Sequence, residues 1–345
     1  MFMCKSRVCY LIISTIIFLA IQSNSCNKDN TNNPVNPEGT KMTYIGAYKT
    51  NGDSRDIVVN KINNIIYGFI ADGSDGLQVV NLTNVYSPTL AGQYNTSGFS
   101  YEVVTTGINN YNFAFVSDGT GGLYIFNINN PASPVKDTIL QFPQEEIITA
   151  GISGNYLYAG GFSGKVYVFD ISGLPSNVNY ISTYVSSDNI NHLEISGNYI
   201  YIAKVHLGLE IVNISNPSVP VQASEIDTPG ESRSVKTGSH YAFVADGDAG
   251  LTIIDVTDEN NPVYITTKST NGKNIGVCFA NISSQPQIYT AEYSYGVEAF
   301  DISGITNLKA LEYYSTGNYA YNIVYYAGMI YVASGPQGLE ILKYE

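Results

Sequence analysis

From residue 42 onward the apolar residues come in short runs broken by Gly, Asn, Asp and Pro. A unit opens on a run such as Asp56-Ile-Val-Val, Tyr101-Glu-Val-Val or Glu146-Ile-Ile-Thr. A Gly/Asn turn such as Ser196-Gly-Asn or Thr237-Gly-Ser follows, then a second run such as Tyr199-Ile-Tyr-Ile-Ala or Tyr241-Ala-Phe-Val-Ala. A tight Gly-containing turn leads to a third run, and a Pro/Asn loop to a more polar fourth, for example Val263-Tyr-Ile-Thr-Thr-Lys. β-Branched and aromatic runs punctuated in this way predict a four-stranded antiparallel unit. The first three runs are nearly continuous in apolar residues, which predicts sheets covered on both faces. No stretch carries an apolar stripe at helical spacing.

The third run repeats. It reads Gly-Leu-Gln-Val-Val-Asn at 76–81, Gly-Leu-Tyr-Ile-Phe-Asn at 122–127, Lys-Val-Tyr-Val-Phe-Asp at 165–170 and Gly-Leu-Glu-Ile-Val-Asn at 208–213. It continues as Gly-Leu-Thr-Ile-Ile-Asp at 250–255, Gly-Val-Glu-Ala-Phe-Asp at 296–301 and Gly-Leu-Glu-Ile-Leu-Lys at 338–343. The last positions of these seven copies are spaced by 46, 43, 43, 42, 46 and 42 residues. Four strands at such a period describe a propeller blade, whereas a parallel β-helix repeats over about half that length. The seventh copy ends at its third strand, and Met42-Thr-Tyr-Ile-Gly-Ala-Tyr-Lys-Thr matches the fourth strands Leu90-Ala-Gly-Gln-Tyr-Asn-Thr and Leu311-Glu-Tyr-Tyr-Ser-Thr. The expected fold is therefore an all-β, seven-bladed β-propeller over residues 42–345, closed by the N-terminal strand pairing into the last blade.

The repeated third strand resembles the LVIVD repeat, found in a family of mostly exported bacterial and archaeal propeller-like proteins. This chain departs from the motif with Asn81, Asn127, Asn213 and Lys343 where the family has Asp; Asn and Asp both support turns. The family has no settled activity, so the resemblance implies a fold and a cell-surface setting.

The N-terminus fits that setting. Lys5 and Arg7 precede an apolar run from Val8 to Ile21, with the length and charge order of a secretory signal rather than a membrane span. Gln22-Ser-Asn-Ser-Cys26 resembles the lipobox of bacterial lipoproteins, with Ser23 in place of the usual aliphatic residue. That resemblance implies cleavage after residue 25, a lipidated Cys26 and anchoring to a membrane; plain signal-peptidase cleavage is the other reading. Residues 26–41 hold almost no apolar side chains and read as a solvated tether. Lys28-Asp29 resembles the charged surface-export signals of Bacteroidota lipoproteins, which implies the outer membrane or cell surface. Of four cysteines, only Cys26 and Cys278 follow the signal, so no disulfide framework arises, and Cys278 in Ile275-Gly-Val-Cys-Phe reads as a core residue.

The whole chain has 16 basic and 29 acidic residues; Lys5 and Arg7 leave with the signal, so the mature chain carries 14 against 29, a net −15. No basic stripe exists for a phosphate backbone, and nucleic acid is not an expected partner. No cofactor motif is present, neither a phosphate-cradling loop nor a Gly-x-Ser-x-Gly elbow. His192, His206 and His240 lack metal-ligand spacing. The turns Asp72-Gly-Ser-Asp75-Gly and Asp246-Gly-Asp248-Ala-Gly place carboxylates as calcium ligands would, but Asp-Gly is also a common hairpin turn, which is the expected role. Propeller geometry gathers the starts of the first strands at one mouth of the central channel. That places Asp56, Tyr101, Glu146, Asn191, Arg233 and Tyr321 there, with Glu102 and His192 nearby. Tyrosines among such polar groups suit a protein or carbohydrate ligand, or merely solvate the channel. With 29 Tyr spread along the chain, their presence at the mouth does not decide this. The expected function is a non-catalytic surface binding scaffold; the rival is a propeller hydrolase or lyase using Glu102, Glu146 and His192.

Overall fold

The computed structural model describes residues 42–282 and 285–345; the expected signal, the expected lipidation site Cys26 and the expected tether lie outside the described residues. Among the described residues there are 28 strands, in seven four-stranded antiparallel sheets, and no helix. Six sheets use four consecutive strands. The seventh joins Asn322–Tyr326, Met329–Ala333 and Leu339–Tyr344 to the first strand, Met42–Tyr48. That pairing runs from Met42 opposite Tyr344 to Tyr48 opposite Leu339, with a bulge between Tyr44 and Gly46. The chain ends close the ring by a full-length strand pair.

Side chains of a strand alternate between its two faces, and in the second and third strands of the blades both faces are buried, while most positions of the fourth strands are half-buried or exposed. Phe69 and Val79 of blade 1 pack with Val103, Ala114 and Phe126 of blade 2, while their neighbours Ile70 and Val80 pack with Tyr331, Leu339 and Ile341 of blade 7. The core accordingly divides into seven apolar clusters, each straddling one seam between adjacent blades. Cys278 lies in the cluster between blades 6 and 7, buried, unpaired and accepting a hydrogen bond from Tyr325 N at 3.2 Å.

The glycine before each third strand has a steric cause. Gly76, Gly122, Gly164, Gly208, Gly250, Gly296 and Gly338 all have positive φ, and a Cβ at each would sit 2.1–2.7 Å from a carbonyl oxygen at or just beyond the end of the fourth strand. Only glycine allows both the turn and the close approach.

The first strands of the blades pack side by side around the channel: Asp56–Ile62, Glu102–Ile108, Ile147–Ser153, Ile190–Ser196, Ser234–Gly238, Asn274–Ile282 and Asn322–Tyr326. Their starts define the site.

Candidate functional site

Strand register fixes the equivalent positions of the seven inner strands. Asp56 pairs with Ala71, Glu102 with Ser117, Thr149 with Gly160 and His192 with Ala203; Ser234 pairs with Ala245, Gly276 with Ala291 and Asn322 with Ala333. One residue earlier stands an upper ring of Arg55, Tyr101, Ile148, Asn191, Arg233, Ile275 and Tyr321. All seven line one open cavity of about 590 Å³ at the channel mouth. Glu146, Phe162, Lys273 and Tyr293 complete its wall, and Asp56, Glu102, His192, Ser234 and Asn322 reach it from below.

The eight mouth residues read from the sequence all line this cavity, but in different layers. Tyr101, Asn191, Arg233 and Tyr321 belong to the upper ring. Asp56 lies one layer deeper, beside Glu102 and His192, and Arg55 holds the rim position in its blade. A one-residue step along a strand turns a side chain to the other side, so this slip changes what the side chain meets. Glu146 is displaced by a bulge between Ile147 and Thr149; it stands exposed on the rim while Ile148 takes its place in the ring.

The deeper layer laces neighbouring inner strands together. Asp56 Oδ2 accepts from Val103 N at 2.8 Å, Glu102 Oε2 from Ala150 N at 2.9 Å, Thr149 Oγ1 from Leu193 N at 3.1 Å and His192 Nδ1 from Val235 N at 3.4 Å. Asn322 Nδ2 donates to the other oxygen of Asp56, which joins blade 7 to blade 1. Burial, reinforced by the nearby Glu102 carboxylate, pushes Asp56 up to about 6. His192 accepts at Nδ1, so its neutral ring carries the proton on Nε2, 3.5 Å from Glu102 Oε1. Two residues further in, Lys236 Nζ donates to Glu194 Oε2 at 2.7 Å. Burial lowers the Lys236 pKa, yet Glu194, Glu102 and Asp56 outweigh it and hold the ammonium above its ordinary range. Of the proposed acid–base set, Glu102 and His192 are therefore engaged with the scaffold and each other, while Glu146 sits on the exposed rim. Glu102 Oε1 and His192 Nε2 thus meet at the cavity wall, each side chain with its other polar atom bonded to a neighbouring inner strand.

The rim is aromatic on one side. Arg55 lies 3.8 Å over the Tyr321 ring, with Phe99 and Tyr101 at 5.6 and 6.0 Å. Tyr293 stacks on Tyr319 at 4.5 Å and meets Tyr321 edge-on at 5.6 Å. Burial raises the phenols of Tyr101 and Tyr321, so both stay protonated as hydrogen-bond donors at neutral pH. The charges of the rim pair with one another: Arg55 with Asp53 at 3.3 Å, and both Arg233 and Lys273 with Glu231.

The turn aspartates lie outside this cavity. Asp72 accepts from Ser54 Oγ at 2.7 Å and Gly52 N at 3.0 Å; Asp246 accepts from Thr228, Gly230, Ser232 and Thr252. Their carboxylates brace the loop that enters each inner strand, while Asp75 and Asp248 stand at the turn surface. Among the described residues no three His, Cys, Asp or Glu side chains gather as metal ligands would.

Sequence reasoning missed Arg55, Phe162, Lys273, Tyr293 and Asn322. One signal was available for two of them: Phe162 and Tyr293 stand where other blades have Gly73, Gly119, Gly247 and Gly335.

Comparison with known proteins agrees with this fold. Residues 51–96, 110–139, 151–185, 189–228 and 229–270 match the model of the LVIVD repeat, and the structure carries the same blade through two further copies. The sequence matches no curated protein. Among solved structures, Raptor of Chaetomium thermophilum is similar with a TM-score of 0.67 and 12% identity, over 88% of this chain and 29% of that one. This chain thus spans less than a third of that relative's length. Sqt1 of Saccharomyces cerevisiae has a TM-score of 0.65 and 10% identity, over 88% of this chain and 99% of its own. Identities this low speak to fold alone. The repeat matches together cover more than half of the sequence, and the chain belongs to the LVIVD repeat family.

Proposed function

We propose that this protein is a non-catalytic binding scaffold, exported and held at the cell surface by a lipid on Cys26, which takes a protein or carbohydrate ligand at the channel mouth. One observation carries the reading: all seven blades send residues into a single cavity of about 590 Å³, a size typical of ligand sites. Those residues stand on laced strands, so the surface is preorganised, and binding need not order it. The acidic and histidine side chains below the rim are occupied in lacing, which favours holding a ligand over transforming one. The lipobox-like Gln22–Cys26 and the tether to residue 41 supply the anchor and its reach.

The test is to probe the intact chain against glycan and peptide arrays beside an Arg55→Ala/Arg233→Ala variant. Binding is expected for the wild type and lost in the variant, with thermal unfolding little changed. Undiminished binding by the variant would place the ligand elsewhere, and release of cleavage products from a bound glycan would make the protein an enzyme. For the anchor, labelled palmitate is expected to enter the wild type and not a Cys26→Ser variant; equal labelling would refute it.

A further inference from the structure

We infer that the mouth takes the end of an uncharged saccharide chain, its rings laid against the aromatic arc of blades 6, 7, 1 and 2. This deepens the binding-scaffold reading and rests on it.

The arc is continuous. Tyr293 and Tyr319 stack, Tyr321 meets both at 5.6 and 5.8 Å, Arg55 covers Tyr321, and Phe99 and Tyr101 follow at 5.0 Å from each other. These rings stand along one side of an open mouth. A protein ligand anchored by a buried side chain needs a deep hole, whereas a sugar presents flat C–H faces between hydroxyl groups.

An extended peptide meets inner edges that are already interrupted. Strand addition requires free backbone N–H groups on an exposed edge. Five of the seven inner strands already give one such N–H to a side chain of the neighbouring blade, at Val103, Ala150, Leu193, Val235 and Tyr325.

Charge points the same way. Arg55 is paired with Asp53, and Arg233 and Lys273 share Glu231. Below them, Asp56 and Glu102 hold backbone N–H groups. A charged ligand group would have to break one of these pairs and strand a partner in a half-buried site, a costly exchange. A hydroxyl both donates and accepts, so it can join the pairs without displacing either member.

Affinity electrophoresis of the full-length chain tests this, in gels carrying a neutral glucan, mannan, xylan or galactan, or polygalacturonate as the charged counterpart, with a peptide array in parallel. At least one neutral polymer should retard the protein. Tyr321→Ala and Tyr293→Ala should each weaken that retardation at least about fivefold, since a lost aromatic contact is worth about 1 kcal/mol. Tyr321→Phe should retain most of it and covers the event that the alanine variant misfolds. Tyr86→Ala, in an exposed turn between a third and a fourth strand, should change nothing. Retardation by polygalacturonate alone, binding to peptides alone, or no retardation by any polymer would overturn the saccharide assignment. If the first two of these still respond to Tyr321→Ala, the mouth stands as a binding site. Retardation by a neutral polymer that ignores every rim variant would instead remove the mouth itself.

Discussion

Asp118 shows how much one side chain can organise. It is fully buried, and its carboxylate accepts from Thr96 Oγ1 at 2.5 Å, Ser100 Oγ at 2.7 Å and Gly98 N at 2.7 Å. The same Thr-x-Gly-x-Ser loop and Asp recur as Thr50, Gly52, Ser54 and Asp72, and as Thr228, Gly230, Ser232 and Asp246. Burial raises Asp118, and the three donors oppose that shift, so the group costs desolvation that its partners offset. Asp118→Ala would leave those donors facing a void, and we expect a loss of about 3 kcal/mol in urea unfolding. A loss below about 0.5 kcal/mol would show that water replaces the carboxylate at little cost. The spacing of Thr, Ser and Asp was visible in the chain, but the Asp-Gly pair read first as a hairpin turn. Its link to the preceding loop was hidden, because that bond joins residues on opposite sides of two strands.

The blades fall into two kinds, and the turn residue marks which. Where the turn carries Asp72, Asp118, Asp246 or Ser334, the inner strand pairs without interruption. Where Gly161, Lys204 or Glu292 stands there, the inner strand bulges, between Ile147 and Thr149, Ile190 and His192, or Asn274 and Gly276. Each irregular blade finds another polar brace. Glu145 bonds Ser163 in blade 3, and the fully buried Lys204 donates to Ser187 and Glu225 in blade 4. In blade 6, Glu292 accepts from Gly272 N at 2.8 Å and Thr290 Oγ1 at 2.9 Å. The two-residue period and the repeat made strands, seams and closure legible in the sequence. A bulge adds a residue without leaving a mark in the hydrophobic pattern, so the exact occupants of the rim were not. Blade 6 yields a pH prediction. Burial, and then the adjacent Glu298 carboxylate, push Glu292 up to about 9 from an ordinary 4.5. The folded state therefore binds more protons than the unfolded chain between those values. The stability this contributes is whole below about 4.5 and is lost as pH rises towards 9. Glu292→Gln removes the titration, so the variant should match the wild type near pH 4.5 and exceed it increasingly above neutrality. Parallel pH dependences in urea unfolding would mean that the pair opens to water in solution.

At the scale of the molecule, seven wedges share seven apolar seams, and no blade buries its own faces. Such a ring is only as firm as its joint, because opening one seam exposes two sheet faces at once. The joint lies within blade 7, where Met42–Tyr48 is held to Leu339–Tyr344 by backbone bonds, while Met42 is buried in the seam with blade 6 and Ile45 and Tyr48 pack at the seam with blade 1. Removing residues 42–48 would bare the edge of Leu339–Tyr344 and cut into both neighbouring clusters. The deletion should lower the melting temperature by more than any single core truncation, such as Leu251→Ala, for which about 2–5 kcal/mol is expected. It should also raise hydrogen exchange first at the amides of Leu339, Ile341 and their partners in Met329–Ala333, before the blades opposite. Adding a synthetic peptide of sequence 42–50 should restore protection by refilling the edge, as strand complementation does. If exchange rises evenly around the ring, or the deletion melts like the intact chain, the clasp does not bear the closure and the seams alone hold the circle. The candidate mouth depends on the same joint, since Tyr321 and Arg55 face each other across the blade 7–blade 1 seam at 3.8 Å. Loosening there should weaken ligand binding before it unfolds the protein.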